Sequence, residues 1–247
     1  IGSSIVGRAI TFLANVVVAR TVGRAALGVG ALRLDEVMFL GPLQLVRDGL
    51  RKVSYRGKSL REKQTLINTA WVSMPVGILI ALGIAFLLHM HPPNSKADSD
   101  GIEPAVYTRS IAYTFFGVVL AFLHEPMFLL ALSDMKQGLR ARVTVAAQFG
   151  KSFVQVILLV VFADKGFGVE AFALANVAYA GVLLLGYFAH FALCSKTPNV
   201  DGYSVSLLPK RLISSPSRTP ATNSGWYHKY FDPALFAAMM MFWMQAV

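Results

Sequence analysis

The sequence predicts an all-α polytopic membrane protein. Three observations carry that expectation: 55% of the 247 residues are hydrophobic, only 15% are charged, and the mean hydropathy is +0.56. Soluble domains carry about 25% charged residues. The charges are also grouped, with basic clusters lying between apolar runs of roughly one bilayer thickness. Such a pattern sets orientation across a membrane, so the net charge of +10 is not read as a nucleic-acid footprint. The single cysteine, Cys194, excludes an intramolecular disulfide and a cysteine-cluster metal site. The sequence contains no Asn-x-Ser/Thr sequon.

The first span is expected over residues 5–22. Arg8, Thr11 and Asn15 fall on one face, which suits a cavity lining, and Arg8 also has the reach to snorkel to a headgroup. The second span, centred on RLDEVMFLGPLQLVRDGLRK at residues 33–52, is the most polar. Arg33, Asp35 and Glu36 stand at one end, with Arg47, Asp48, Arg51 and Lys52 at the other. An ionisable group at a span's centre costs roughly 2.5–3.5 kcal/mol on insertion scales, so these side chains are expected to face protein or an aqueous cavity. Helical spacing pairs Arg33 with Glu36 and Arg47 with Arg51, and Gly41-Pro42 predicts a kink between them. The alternative is a short span whose charges only reach the headgroups.

A third span is expected over 66–88, with Trp71 at an interface and a kink at Pro75. The following loop holds His89, His91, Asp98 and Asp100. Their spacing is only short-range, so it is read as a solvated loop and no metal is assigned. The fourth span, 109–132, buries Glu125-Pro126 in apolar sequence. Gly117 and Ala121 precede Glu125 on its face and permit close packing, so Glu125 is expected to meet an arginine of the first or second span. His124 is expected to point elsewhere. The fifth span, 143–162, carries Gln148, Lys151 and Gln155 as one stripe, either an inter-helix hydrogen-bond seam or a ligand-facing row. The sixth, 169–193, places Asn176 and Tyr179 on one face.

Residues 195–233 read as a basic Ser/Pro/Asn-rich linker, poorly ordered with one interfacial helix. An apolar run at 234–247 reads as the start of a seventh helix. The expected organisation is a six-helix bundle over 1–194, the linker, and an incomplete second bundle, which makes the chain the N-terminal part of a longer protein. Alternate loops hold 15 Lys/Arg on one side of the membrane and 4 (Arg20, Arg24, Lys96 and Lys165) on the other. The positive-inside rule then places the N-terminus in the cytoplasm. No nucleophile–base constellation and no nucleotide-binding loop are found, so the chain is not read as an enzyme and no cofactor is assigned.

Several motifs now carry a resemblance: RAITFLANVVVAR at 8–20, GVGALRL before LVRDGLRK, NTAWVSMPVG at 68–77 and LHEPMFLLA at 123–131. Together, in order and spacing over essentially the whole chain, they resemble the Rft family, the eukaryotic oligosaccharide translocation proteins of the endoplasmic reticulum. Asp48 stands for the family's usual Glu, Lys52 for Arg, and His124 for the Gly before Glu-Pro. The third departure sets a side chain where glycine is expected. The resemblance implies the fold of the multidrug/oligosaccharidyl-lipid/polysaccharide exporter superfamily, with two six-helix bundles. It implies movement of a dolichyl-pyrophosphate-linked heptasaccharide across the endoplasmic reticulum membrane for N-glycosylation, or an accessory role in that pathway.

Arginine presents a planar fork to phosphate oxygens and stays charged at any physiological pH. Arg8, Arg33, Arg47, Arg51 and Lys151 are therefore the candidate head-group residues. Glu36 and Glu125 are candidate charge partners, and Asn15, Gln148, Gln155 and Asn176 are candidate hydrogen-bonding groups for sugar hydroxyls. Two readings compete with translocation. A non-transporting scaffold of the dolichol pathway would pair its charges internally, as Arg33 with Glu36 or Arg8 with Glu125. A cation-coupled exporter would favour acidic residues where this sequence offers arginine.

Overall fold

The computed structural model describes Phe12, Val16, Val18 and Arg20, and residues 22–54, 60–93, 102–161, 168–191 and 207–209. No strand occurs among them. A short α1 (Arg24–Gly28) runs into a π-helical stretch (Val29–Leu40) and then into α2 (Gly41–Ser54). The remaining helices are α3 (Leu60–Met90), α4 (Pro104–Leu123), α5 (Glu125–Ser133), α6 (Gln137–Val161) and α7 (Gly168–Ala189). Most of the expected first span, Arg8 and Asn15 included, lies outside the described residues; Phe12, Val16, Val18, Arg20 and Val22 are the parts of it that are described. Asp98 and Asp100, the linker apart from Leu207, Leu208 and Pro209, and the start of the seventh helix also lie outside them.

Among the described residues, four helical stretches are long and apolar enough to cross a membrane: Glu62–Met90, Pro104–Ser133, Gln137–Val161 and Gly168–Ala189. They correspond to the expected third to sixth spans, and the chain is an all-α, multi-pass membrane protein. Their outward faces show why a bilayer is the solvent. Val72, Val76, Leu79 and Phe86 of α3 are exposed, as are Phe149, Phe153, Ile157 and Val160 of α6. Contiguous apolar surface on this scale is a liability in water and ordinary against lipid.

The polar second span does not break at Gly41-Pro42. Helical geometry changes there from π to α. Gly41 donates its N–H to the Glu36 carbonyl, five residues back, and Pro42 enters as the second residue of α2. A proline has no N–H to give, and the change from π to α spacing falls where that donor is missing. Pro75 lies inside α3 without ending it. Its missing N–H leaves the Trp71 carbonyl without the intrahelical donor.

The fourth span is two helices rather than one. His124 forms the joint between α4 and α5 with φ −82° and ψ −14°. That is ordinary right-handed backbone, so the side chain at the family's glycine position introduces no strain. Pro126 ends α4 because it cannot continue its ladder, and it opens α5 for the same reason.

The helices enclose a core whose centre is built by Phe39, Leu43 and Val46 of the second span, Met74 and Ala81 of α3, Val118, Ala121 and Phe122 of α4, and Ala180 of α7. The most extensive contact joins α4 and α7. Gly117 makes it possible: a Cβ there would lie 3.3 Å from the Val177 backbone nitrogen and 3.4 Å from the Phe39 ring. The nearest atom is main chain and cannot swing away. Gly117→Val is therefore expected to destabilise the bundle by about 1–3 kcal/mol through overpacking. A lower midpoint in a detergent thermal melt, against an unchanged melt for Gly83→Ala at a position with open space, checks it.

One piece of the linker is held against this frame. Trp71 Nε1 donates to the Leu207 carbonyl at 2.8 Å and Gln64 Nε2 to that of Leu208 at 3.2 Å, while Leu207 packs against Ile67 and Leu130. The Trp71 indole thus serves the linker as a hydrogen-bond donor, in addition to any interfacial role.

Candidate functional site

The joint at His124 creates the site. A helix that stops leaves its last carbonyls without intrahelical partners. Arg47, reaching in from α2, donates from Nη2 to the Ala121 carbonyl at 2.9 Å. Its Nε lies 2.7 Å from Glu125 Oε2, an ion pair by distance whose N–H is not aligned on that oxygen. Arg51, one turn further on, makes a two-pronged contact with the same carboxylate, Nε to Oε1 at 3.1 Å and Nη2 to Oε2 at 3.4 Å. Glu125 is 3% exposed and sits in the first turn of α5, where the helix dipole also favours a negative charge. The expectation that Glu125 meets an arginine of the first two spans holds for the second.

Aromatic rings complete the surroundings. The Arg51 guanidinium lies 4.1 Å from the Phe128 ring centroid, and Arg140 of α6 lies 4.9 Å from it. His124 does not point away from Glu125. Its Nε2 comes within 4.0 Å of Oε2, and its ring stacks on Tyr187 at 5.9 Å. A histidine fully enclosed by the helices packs toward the same interior as its neighbour, which the helical angle between adjacent residues alone did not reveal.

The other candidate residues fall elsewhere. Lys151 holds Asp35 through both carboxylate oxygens, at 2.8 and 2.9 Å, roughly 15 Å from Arg47 along the second span. Gln155 of the same stripe is buried and Gln148 half-buried. Asn176 is fully buried, and neither of its amide atoms has a hydrogen-bond partner. Arg33 donates from Nη1 to the His91 carbonyl at 2.9 Å, just beyond the end of α3, where a cation suits the helix dipole. The sequence spacing paired it with Glu36, which is instead exposed. Arg33 is thus not brought to the Arg47–Arg51–Glu125 cluster.

Three contributors were missed from the sequence, Phe128, Arg140 and Tyr187, and Asp35 was singled out there without its partner Lys151. Phe128 had a signal, since three residues after Glu125 it shares that face of α5. Arg140 was counted among the basic residues of the loop between the fourth and fifth spans, and nothing in the sequence singled out Tyr187. A separate pair, Arg109 with the buried Glu170 at 2.9 Å, was also unread. For the Asp35–Lys151 pair, a double-mutant cycle of Asp35→Asn and Lys151→Met in the full-length protein is expected to give a coupling of about 0.5–3 kcal/mol in thermal melts. Additive effects would mean the pair contributes no specific energy.

Comparison with known proteins decides the family. The model of the Rft protein family matches residues 1–247. The chain belongs to the Rft family. It is 26% identical over 198 residues to the Man(5)GlcNAc(2)-PP-dolichol translocation protein RFT1 of Dictyostelium discoideum, covering 78% of this chain and 35% of that protein. The mouse protein of the same name is 25% identical over 193 residues, 77% of this chain and 34% of its own length. The Xenopus tropicalis protein is 26% identical over 187 residues, 75% of this chain and 33% of its own. This Rft-family chain thus spans about a third of the length of these relatives. No solved structure matches it.

Proposed function

We infer that this Rft-family chain is the first bundle of a protein that translocates a dolichyl-pyrophosphate-linked oligosaccharide across the endoplasmic reticulum membrane for N-glycosylation. The relatives are named for the Man(5)GlcNAc(2)-PP-dolichol intermediate. The observation that carries the reading for this chain is the convergence of Arg47 and Arg51 on one buried carboxylate at the α4–α5 joint. Two guanidiniums held by a single Glu retain a net positive charge, and a pyrophosphate is a ligand able to take Glu125's place on Arg51's fork. Glu125 then serves as the resting counter-ion. Lys151 and Asp35, with Gln148, Gln155 and Asn176, form a polar tier beyond it, available to sugar hydroxyls as well as to each other. Arg8 and Arg33 stay candidate head-group contacts, Arg8 on its place in the sequence. Residues 1–194 act as one bundle, 195–233 as the linker and 234–247 as the start of the second bundle, with the N-terminus cytoplasmic. Movement is alternating access, one bundle rocking on the other. No step in this scheme breaks a covalent bond, so the protein works as a transporter and not as an enzyme.

The test is transbilayer movement of the lipid-linked heptasaccharide in vesicles holding the purified full-length protein. Movement that depends on the protein, and falls with Arg47 and Arg51 substitutions, is the expected result. Protein-independent movement would overturn the reading. A non-transporting accessory role is favoured by one observation: Arg47 and Arg51 already pair with Glu125 and Lys151 with Asp35, as a scaffold of internal charge pairs requires.

A further inference from the structure

Two guanidiniums, those of Arg47 and Arg51, meet the Glu125 carboxylate. A third, that of Arg140, meets no carboxylate among the described residues and lies 4.9 Å from the Phe128 ring that Arg51 also approaches. A cation on an aromatic face keeps its N–H groups free for an anion. Nε of Arg140 is buried without a hydrogen-bond partner, and so are Tyr187 Oη and His124 Nδ1. These groups belong to one patch. The His124 and Tyr187 rings stack on each other, and each meets Phe128 edge-on, at 6.3 and 5.9 Å. Tyr187 is fully buried and His124 is 1% exposed. Buried polar atoms are nearly always paired, so three unpaired ones around a single ring mark a place that receives a polar group.

We propose that Arg140 and Tyr187 form a second anion-binding arm beside Arg51, so that the site takes two linked phosphates and discriminates against one. The proposal rests on the reading that the Arg47–Arg51–Glu125 cluster receives a head group. Charge supports it: Glu125 neutralises one of the three arginines, and the two charges left over match a diphosphate ester. A monophosphate held by Arg51 would leave Arg140 unused. Tyr187, whose hydroxyl is a donor, adds a neutral hydrogen bond to the second phosphate.

The full-length protein in detergent is titrated calorimetrically with inorganic pyrophosphate and, separately, with inorganic phosphate. Wild type is expected to bind pyrophosphate about tenfold tighter, the value of one charge-assisted hydrogen bond. Arg140→Gln should abolish that preference while changing phosphate affinity by less than about twofold, and Arg140→Lys, which keeps charge but not the fork, should restore part of it. Tyr187→Phe keeps the ring stack and should weaken pyrophosphate by roughly threefold, which provides an independent test if Arg140→Gln does not fold. A preference unchanged in both Arg140→Gln and Tyr187→Phe overturns the proposal, as does equal or absent binding of the two probes by wild type. Dolichyl pyrophosphate and dolichyl phosphate in detergent micelles separate the ligand's source. Binding of free but not of lipid-linked diphosphate keeps the diphosphate arm and sinks the lipid reading. Arg51-dependent transport with an Arg140-independent preference does the reverse.

Discussion

Glu125→Leu is expected to destabilise the bundle by about 3–5 kcal/mol, the largest effect of any single substitution at the site. The residue is 3% exposed and is the carboxylate shared by Arg47, itself 9% exposed, and Arg51. Removing it leaves a buried guanidinium without its counter-charge, and breaking a buried pair from one side carries this cost. Glu125→Gln keeps the shape and a hydrogen-bond acceptor, so its loss should be smaller. The informative variant removes all three charges, as Arg47→Met, Glu125→Leu and Arg51→Met together. Apolar replacement of a whole buried ion cluster is often neutral or stabilising, so its melting midpoint should return toward wild type. Its transport should not return. A triple variant as unstable as Glu125→Leu would show that the cluster is needed for packing and not merely for charge balance.

The second large effect concerns ligand binding. Arg51→Gln is expected to weaken dolichyl-pyrophosphate binding by about 10- to 100-fold, the range for losing a hydrogen bond to a charged group. The side chain of Arg51 is 33% exposed and stacks on Phe128, whereas that of Arg47 is 10% exposed and tied to the Ala121 carbonyl. Arg51 is therefore the arginine free to exchange Glu125 for a phosphate, and the one whose removal leaves Arg47's pair with Glu125 in place. Arg51→Lys retains charge without the planar fork and should fall between the two. Binding measured by titration beside a thermal melt separates the effects: a tenfold weaker affinity at an unchanged midpoint supports the head-group role. Unchanged affinity would return Arg51 to a structural role and favour the accessory reading.

The residues differ in how far their roles could be read from the chain. The third to sixth spans could be located because a helix must satisfy its own backbone in lipid, and roughly 20 apolar residues in a row leave few alternatives. The interior position of Glu125 was legible for the same reason, since a carboxylate beside Pro126 in apolar sequence has no inexpensive place in lipid. Gly117 was legible as a close-contact position, and the structure sets it on the backbone of α7.

Which charge meets which was not legible. Local spacing paired Arg33 with Glu36, but Arg33 reaches the His91 carbonyl and Lys151 crosses 116 positions of sequence to Asp35. Arg140 looked like one more basic loop residue until α6 carried it to Phe128, the ring already holding Arg51. The sequence by itself determined the membrane class, the helices and the fact that their buried charges needed partners, because hydrophobicity and backbone hydrogen bonding are local along a chain. Only the tertiary structure decided the partners, because the helix rotations that bring a guanidinium to a carboxylate depend on how all the helices pack at once.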